Sequence, residues 1–172
     1  MERTNEQLEN KKSWAEMTEE ERQAVRESWK QKLPEKYDVF CIGDFFPEKP
    51  VFIPGNLYVS GDVSETCAAI SILISENFIV KGNVDAGTVS VGGHFIVDGS
   101  IDSCTDISVI GDFICDNDVD AMDITVGGNF IVDGVVEGCA ISVHKSFDCY
   151  DVGSTEDIYS TDYVCRTYKK QN

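Results

Sequence analysis

Asn77-Phe78-Ile79-Val80, His94-Phe95-Ile96-Val97, Asp112-Phe113-Ile114-Cys115 and Asn129-Phe130-Ile131-Val132 recur every 17 or 18 residues in a chain of 172. A fixed period of that length is the mark of a repeat architecture and governs the reading of everything around it. Within each repeat three short segments alternate inward, outward, inward, as strands of period two do. One repeat contains Val89-x-Val91, Phe95-x-Val97 and Ile101-x-Ser103; the next contains Ile107-x-Val109, Phe113-x-Cys115 and Val119-x-Ala121. Ile124-x-Val126, Phe130-x-Val132 and Val136-x-Gly138 follow, then Ile141-x-Val143 and Phe147-x-Cys149. Going backwards, the pattern runs through Ile72-x-Ile74, Phe78-x-Val80 and Val84-x-Ala86 to Val51-x-Ile53 and Leu57-x-Val59. After Cys149 it thins to Ile158 and Tyr163-x-Cys165, a partial last turn.

Three strands per repeat, joined by corners too short for a helix, predict an all-β fold. It is a single-stranded parallel β-helix, a three-sided β-solenoid of about six coils with 17–18 residues each. Hairpins of a sandwich would have no reason to keep chemical identity at every seventeenth residue. Stacked coils lie about 4.8 Å apart, so each inward column of like residues packs on itself. Gly61, Gly82, Gly99, Asn117 and Gly134 fall in one corner column. Four glycines and an asparagine predict a corner with positive φ.

The middle residues of the triplets form three outer ladders of different chemistry. The first is neutral and polar, with Ser90, Ser108, Thr125 and Ser142. The second is apolar, with Tyr58, Ile79, Ile96, Ile114 and Ile131. Rows of large apolar side chains seldom face water, and each isoleucine gains roughly 1.5–3 kcal/mol from cover. That cover is either the N-terminal helix of the same chain or a partner. The third ladder is acidic, with Asp85, Asp102, Asp120 and Glu137, flanked at its corner by Asp98, Asp116 and Asp133. Carboxylates stacked about 5 Å apart repel by roughly 1 kcal/mol in water and more near a low-dielectric surface. A solvated face, a cation site or a dock for a basic surface are the readings of such a ladder.

Residues 1–36 form a polar segment, 37–165 the solenoid and 166–172 a tail. In the first, Thr18-Glu19-Glu20-Glu21 is a capping box, Val25, Trp29 and Leu33 recur every four residues, and Pro34 stops the helix, predicted over about 18–33. So narrow an apolar stripe needs something to lie against.

The net charge is -17, from 31 acids and 14 bases. Up to residue 50 there are 12 acids and 9 bases, which leaves 19 acids and 5 bases for the rest. A surface this acidic repels nucleic-acid phosphate and anionic lipid, so direct contact with either is not expected. No apolar run reaches membrane-spanning length and the Glu-rich start lacks a signal-peptide core, so a soluble cytoplasmic protein is expected. Seven cysteines, at 41, 67, 104, 115, 139, 149 and 165, include no CxxC pair. Their odd number and uneven spacing point to reduced core residues, not to disulfides or a zinc site.

Catalytic signals are weak. His94 and His144 sit at corners about three coils apart, roughly 14 Å at strand spacing, and cannot share a metal within one subunit. No Gly-x-Ser-x-Gly elbow, P-loop or dinucleotide fingerprint occurs. Asp116-x-Asp118-x-Asp120 has calcium-loop spacing, but Ala121 and Gly127 stand where such a loop has glycine and glutamate. No catalytic residue, metal site or cofactor is expected.

The triplets from Val51 to Cys149 resemble two solenoid families. Hexapeptide acyltransferases place a small residue first and a large aliphatic second in each inward pair, whereas Phe130-x-Val132 and Val136-x-Gly138 reverse that order. Stretches such as Gly128-Asn129-Phe130-Ile131-Val132-Asp133-Gly134-Val135-Val136 more closely resemble bactofilins, small bacterial cytoskeletal proteins. That resemblance implies a right-handed triangular β-helix that polymerises end to end. The function expected is therefore that of a non-enzymatic scaffold, self-associating or binding protein through an exposed face of Tyr58, Ile79, Ile96, Ile114 and Ile131, with the coil ends as further contacts. The alternative is an acidic inhibitor or immunity-type protein whose Asp85, Asp102, Asp120 and Glu137 ladder docks a basic site, a nucleic-acid-binding one being an example.

Overall fold

A computed structural model describes residues 17–30, 37–64, 70–153, 155 and 157–165. Leu33, Cys67 and the tail 166–172 lie outside them, as do the side chains of Val25 and Trp29. The described chain is a parallel β-solenoid of about 7 turns, one more than the triplet count suggests. Every strand pairing in it is parallel and joins one coil to the next.

On the first face the inward column runs Val51, Ile72, Val89, Ile107, Ile124, Ile141, Ile158. On the second it runs Val39, Leu57, Phe78, Phe95, Phe113, Phe130, Phe147, Tyr163. On the third it runs from Val63 through Val84, Ile101, Val119 and Val136 to Val152, with Phe45 bridged below Val63. The addition lies at the start, where Val39–Cys41 and Phe45 stand one level below Leu57–Val59 and Val63, ahead of the triplets read in the sequence.

These columns make a continuous apolar interior. Phe78, Phe95, Phe113, Phe130 and Phe147 are all fully buried. Their rings stack with centroids 4.7–5.0 Å apart and planes within 16° of parallel, and Tyr163 ends the column at 5.1 Å. Translation of one coil onto the next forces like rings into register, and each such pair adds about 0.5–1.5 kcal/mol beyond its area burial.

Two local expectations are corrected. The inward position after Ile101 is held by Cys104. The register slips between Ile101 and Cys104, which absorbs the eighteenth residue of that coil and puts Cys104 in column with Ala121. The corner glycines do not have positive φ, which among glycines is confined to Gly43 and Gly55. Close approach explains them. A Cβ on Gly82 would lie 2.7 Å from Gly61 O, and one on Gly99 2.5 Å from Gly82 O. The corner stacks backbone directly on backbone.

The same corner is tied by a ladder of side chains. Asp62 N–H donates to Asp44 Oδ1, Asn83 N–H to Asp62 Oδ1 and Ser100 N–H to Asn83 Oδ1, each at 2.7–2.9 Å to the coil below. Within the described residues the N-terminal helix spans Glu19–Lys30, starting where the capping box predicts; residues 31–33 of the expected helix lie outside them. Thr18 N–H donates to Glu21 Oε2 at 2.8 Å, and Glu21 N–H donates to Thr18 Oγ1 at 3.2 Å.

Candidate interaction surfaces

The acidic ladder forms as stacked carboxylates. Asp85 lies beneath Asp102 and Asp120 beneath Glu137, and all four are exposed. The register slip after Ile101 falls between the two pairs and divides the ladder. At its corner Asp98, Asp116 and Asp133 are half-buried, and Lys81 donates to Asp98 Oδ2 at 2.7 Å. That hydrogen bond, with the charge of Asp98, raises the Lys81 pKa against the opposing effect of burial. Asp118 serves the backbone, accepting Val135 N–H at 2.7 Å. Among the described residues no three His, Cys, Asp or Glu side chains are placed to hold a metal ion.

The second ladder keeps its register, Tyr58, Ile79, Ile96, Ile114 and Ile131 being vertical neighbours. It is not exposed. The four isoleucines are only 1–2% accessible, and Tyr37 and Tyr58 pack against Ile79, Ile96 and Ile114 as a second apolar cluster outside the coil. The expectation of an exposed isoleucine face is therefore corrected: alternation sends these side chains out of the coil, and the chain's own residues close over them. Asp148 continues the column above Ile131 and is fully buried, a position that the Phe147-x-Cys149 triplet marks as outward without indicating its cover.

His94 belongs to a second corner ladder. Going up the stack, Asp38, Asn56, Asn77, His94, Asp112 and Asn129 each accept the N–H of the residue one coil above. The His94 Nδ1 accepts the Asp112 N–H at 3.0 Å. Asp112 Oδ2, 3.4 Å away, would pair with Nδ1 only after protonation broke that bond. His144, three levels higher, is exposed, and its carbonyl accepts the Thr161 hydroxyl.

The two ends of the stack were the least visible in the sequence. At one end, among the described residues, Val39–Cys41 and Val51–Ile53 pair as strands only with the coil above. Phe40, Ile42, Phe46 and Phe52 are exposed around them, Ile42 at 85% and Phe52 at 60%. At the other, the strand Asp157–Cys165 pairs only with Ala140–Cys149, and Tyr159 is 65% exposed. Among the described residues the outer edges of these terminal strands have no strand partner. The signal that could have revealed the first end is the cluster Phe40, Phe45, Phe46 and Phe52 just before the repeat becomes regular.

No family model, no curated protein and no solved structure matches the chain. Nor does any helix among the described residues have the length and apolar character to cross a membrane.

Proposed function

We propose that this chain is a non-enzymatic scaffold whose copies stack head to tail through the ends of the solenoid. The supporting observation is that all three inward columns run to both ends of the described stack, where the terminal strands have no further strand partner among the described residues. A copy added in continuing register sets Val51 and Phe52 over Ile158 and Tyr159, Phe45 over Val152, and Val39, Phe40 and Cys41 over Tyr163, Val164 and Cys165. Apolar residues meet apolar residues in each column, and the terminal strands gain strand neighbours. Such a contact joins two different surfaces without closing, so it generates a filament. The resemblance to bactofilins points the same way.

Charge opposes this contact. Asp38, Asp44 and Glu48 surround one end with Lys49 the nearby base, and Asp151, Asp157 and Asp162 the other. Salt therefore strengthens association by screening like charges. Sedimentation velocity at rising concentration and ionic strength tests the proposal. The wild type should grow progressively larger, while Phe52→Glu and Tyr159→Glu should each stop at small species. A wild type that stays monomeric throughout overturns it, and so does a dimer abolished by only one of the two substitutions.

A second reading rests on the exposed Asp85, Asp102, Asp120 and Glu137. Carboxylates on a rigid support at regular spacing suit a basic protein surface. Capture of such a partner should weaken with salt and collapse in Asp102→Asn plus Asp120→Asn; capture that ignores both would sink this reading.

A further inference from the structure

We propose that Cys149 and Cys165 are a dithiol that closes reversibly to a disulfide and staples the last strand of the solenoid to the coil beneath it. The inference does not depend on the stacking of copies. The two residues are register partners, Cys165 directly above Cys149 in one inward column. Among the described cysteines no other pair stands so. Cys41 is stacked with Val59, Cys104 with Ala121, and Cys115 with Val97 and Val132. Register partners in adjacent strands lie about 4.8 Å apart at Cα, within the roughly 4.4–6.8 Å window of disulfides.

The Cβ atoms of a disulfide stand closer than coil spacing, near 3.8 Å, so one strand must move inward. Inside the stack that motion would break pairing on the other side. The strand Asp157–Cys165 has its described pairing on one side only and can make it. The Cys165 thiol lies close enough to help raise the pKa of Cys149, while Cys149 Sγ donates to Val164 O at 4.0 Å and Cys165 Sγ to Tyr150 O and Asp151 Oδ1 at 3.7 Å each.

The chemistry needs an oxidant, and a low-molecular-weight disulfide such as oxidised glutathione supplies it. Cys165 is half-exposed and Cys149 buried, so attack begins at Cys165. Its thiolate forms an S–S bond to one glutathione sulfur and expels the other glutathione as thiolate. The Cys149 thiolate then attacks the Cys165 sulfur and expels the second. Two protein thiols are oxidised, one external disulfide is reduced to two thiols, and those thiols carry off the two protons. Burial, with the neighbouring thiol, raises the pKa of Cys149, so closure is the slow step and accelerates with pH.

The test uses the full chain, reduced and then exposed to oxidised glutathione. Both cysteines fall in the tryptic peptide that follows Lys145 and ends at Arg166. The expected product is that peptide lighter by two hydrogens, inert to iodoacetamide and restored by dithiothreitol. Deuterium exchange in residues 157–165 should slow by at least about tenfold on closure. Cys165→Ser should abolish both signals, and Cys139→Ser should leave both intact. Because Cys149→Ser alters the core, Cys165→Ser carries the control. A stable glutathione adduct on Cys165, a link from Cys165 to Cys41 of a second copy, or closure without protection of 157–165 overturns the proposal.

Discussion

His94 shows what single side chains do in this molecule. Its imidazole nitrogen is one rung in a series whose other rungs are Asp and Asn oxygens, and it accepts one backbone N–H. His94→Asn supplies an acceptor at that rung and should leave the unfolding midpoint nearly unchanged. His94→Ala leaves a corner donor without its acceptor and should cost about 1–2 kcal/mol in urea unfolding. An equal loss in both variants would show that the rung is not what matters. Cys115 gives a prediction of different sign. Burial, opposed by a backbone hydrogen bond and aided by Asp116, Asp118 and Asp133, pushes its pKa up to about 12 from 9.0. Its folded pKa lies above its unfolded one, so the stability it confers is complete below about pH 9 and is lost as pH rises towards 12. Unfolding midpoints measured from pH 8 to 11 should fall, and fall less in Cys115→Val. At this scale the sequence told inward from outward but not the reason for a glycine. Gly82 and Gly99 look alike whether they serve a left-handed corner or a backbone contact, and only the coil beneath distinguishes the two.

Among elements, the triplet strands were the readable part because period two and stacking constrain the same positions. The Phe column followed from spacing alone. The slip that puts Cys104 in place of Ser103 did not, since an extra residue can be absorbed anywhere along a coil of eighteen. The isoleucine column was read correctly as outward and incorrectly as exposed: alternation says which way a side chain leaves a strand, while its cover comes from residues far away in sequence. That difference is measurable. Ile96 is 2% accessible, so Ile96→Lys places a charge in an apolar cluster and should lower stability by more than about 3 kcal/mol. Its sedimentation relative to wild type should not change below the melting transition. Dissociation of an assembly without loss of stability would restore the exposed face.

At the scale of the whole molecule, each coil touches its neighbours above and below, and the chain behaves as a one-dimensional stack. Phe95 and Phe130 occupy the same place in coils separated by one. Removing residues 113–129 as a block would bring Phe130 above Phe95, Ile131 above Ile96 and Val132 above Val97, each a pair the fold already contains in kind. The shortened chain should fold cooperatively with an unaltered β-sheet circular dichroism spectrum. Removing half that block should not, because every later residue would arrive at the wrong wall. Height is thus a quantity this architecture can change in whole storeys, and lineages of such a protein would differ in length by multiples of one circuit while keeping the same cross-section.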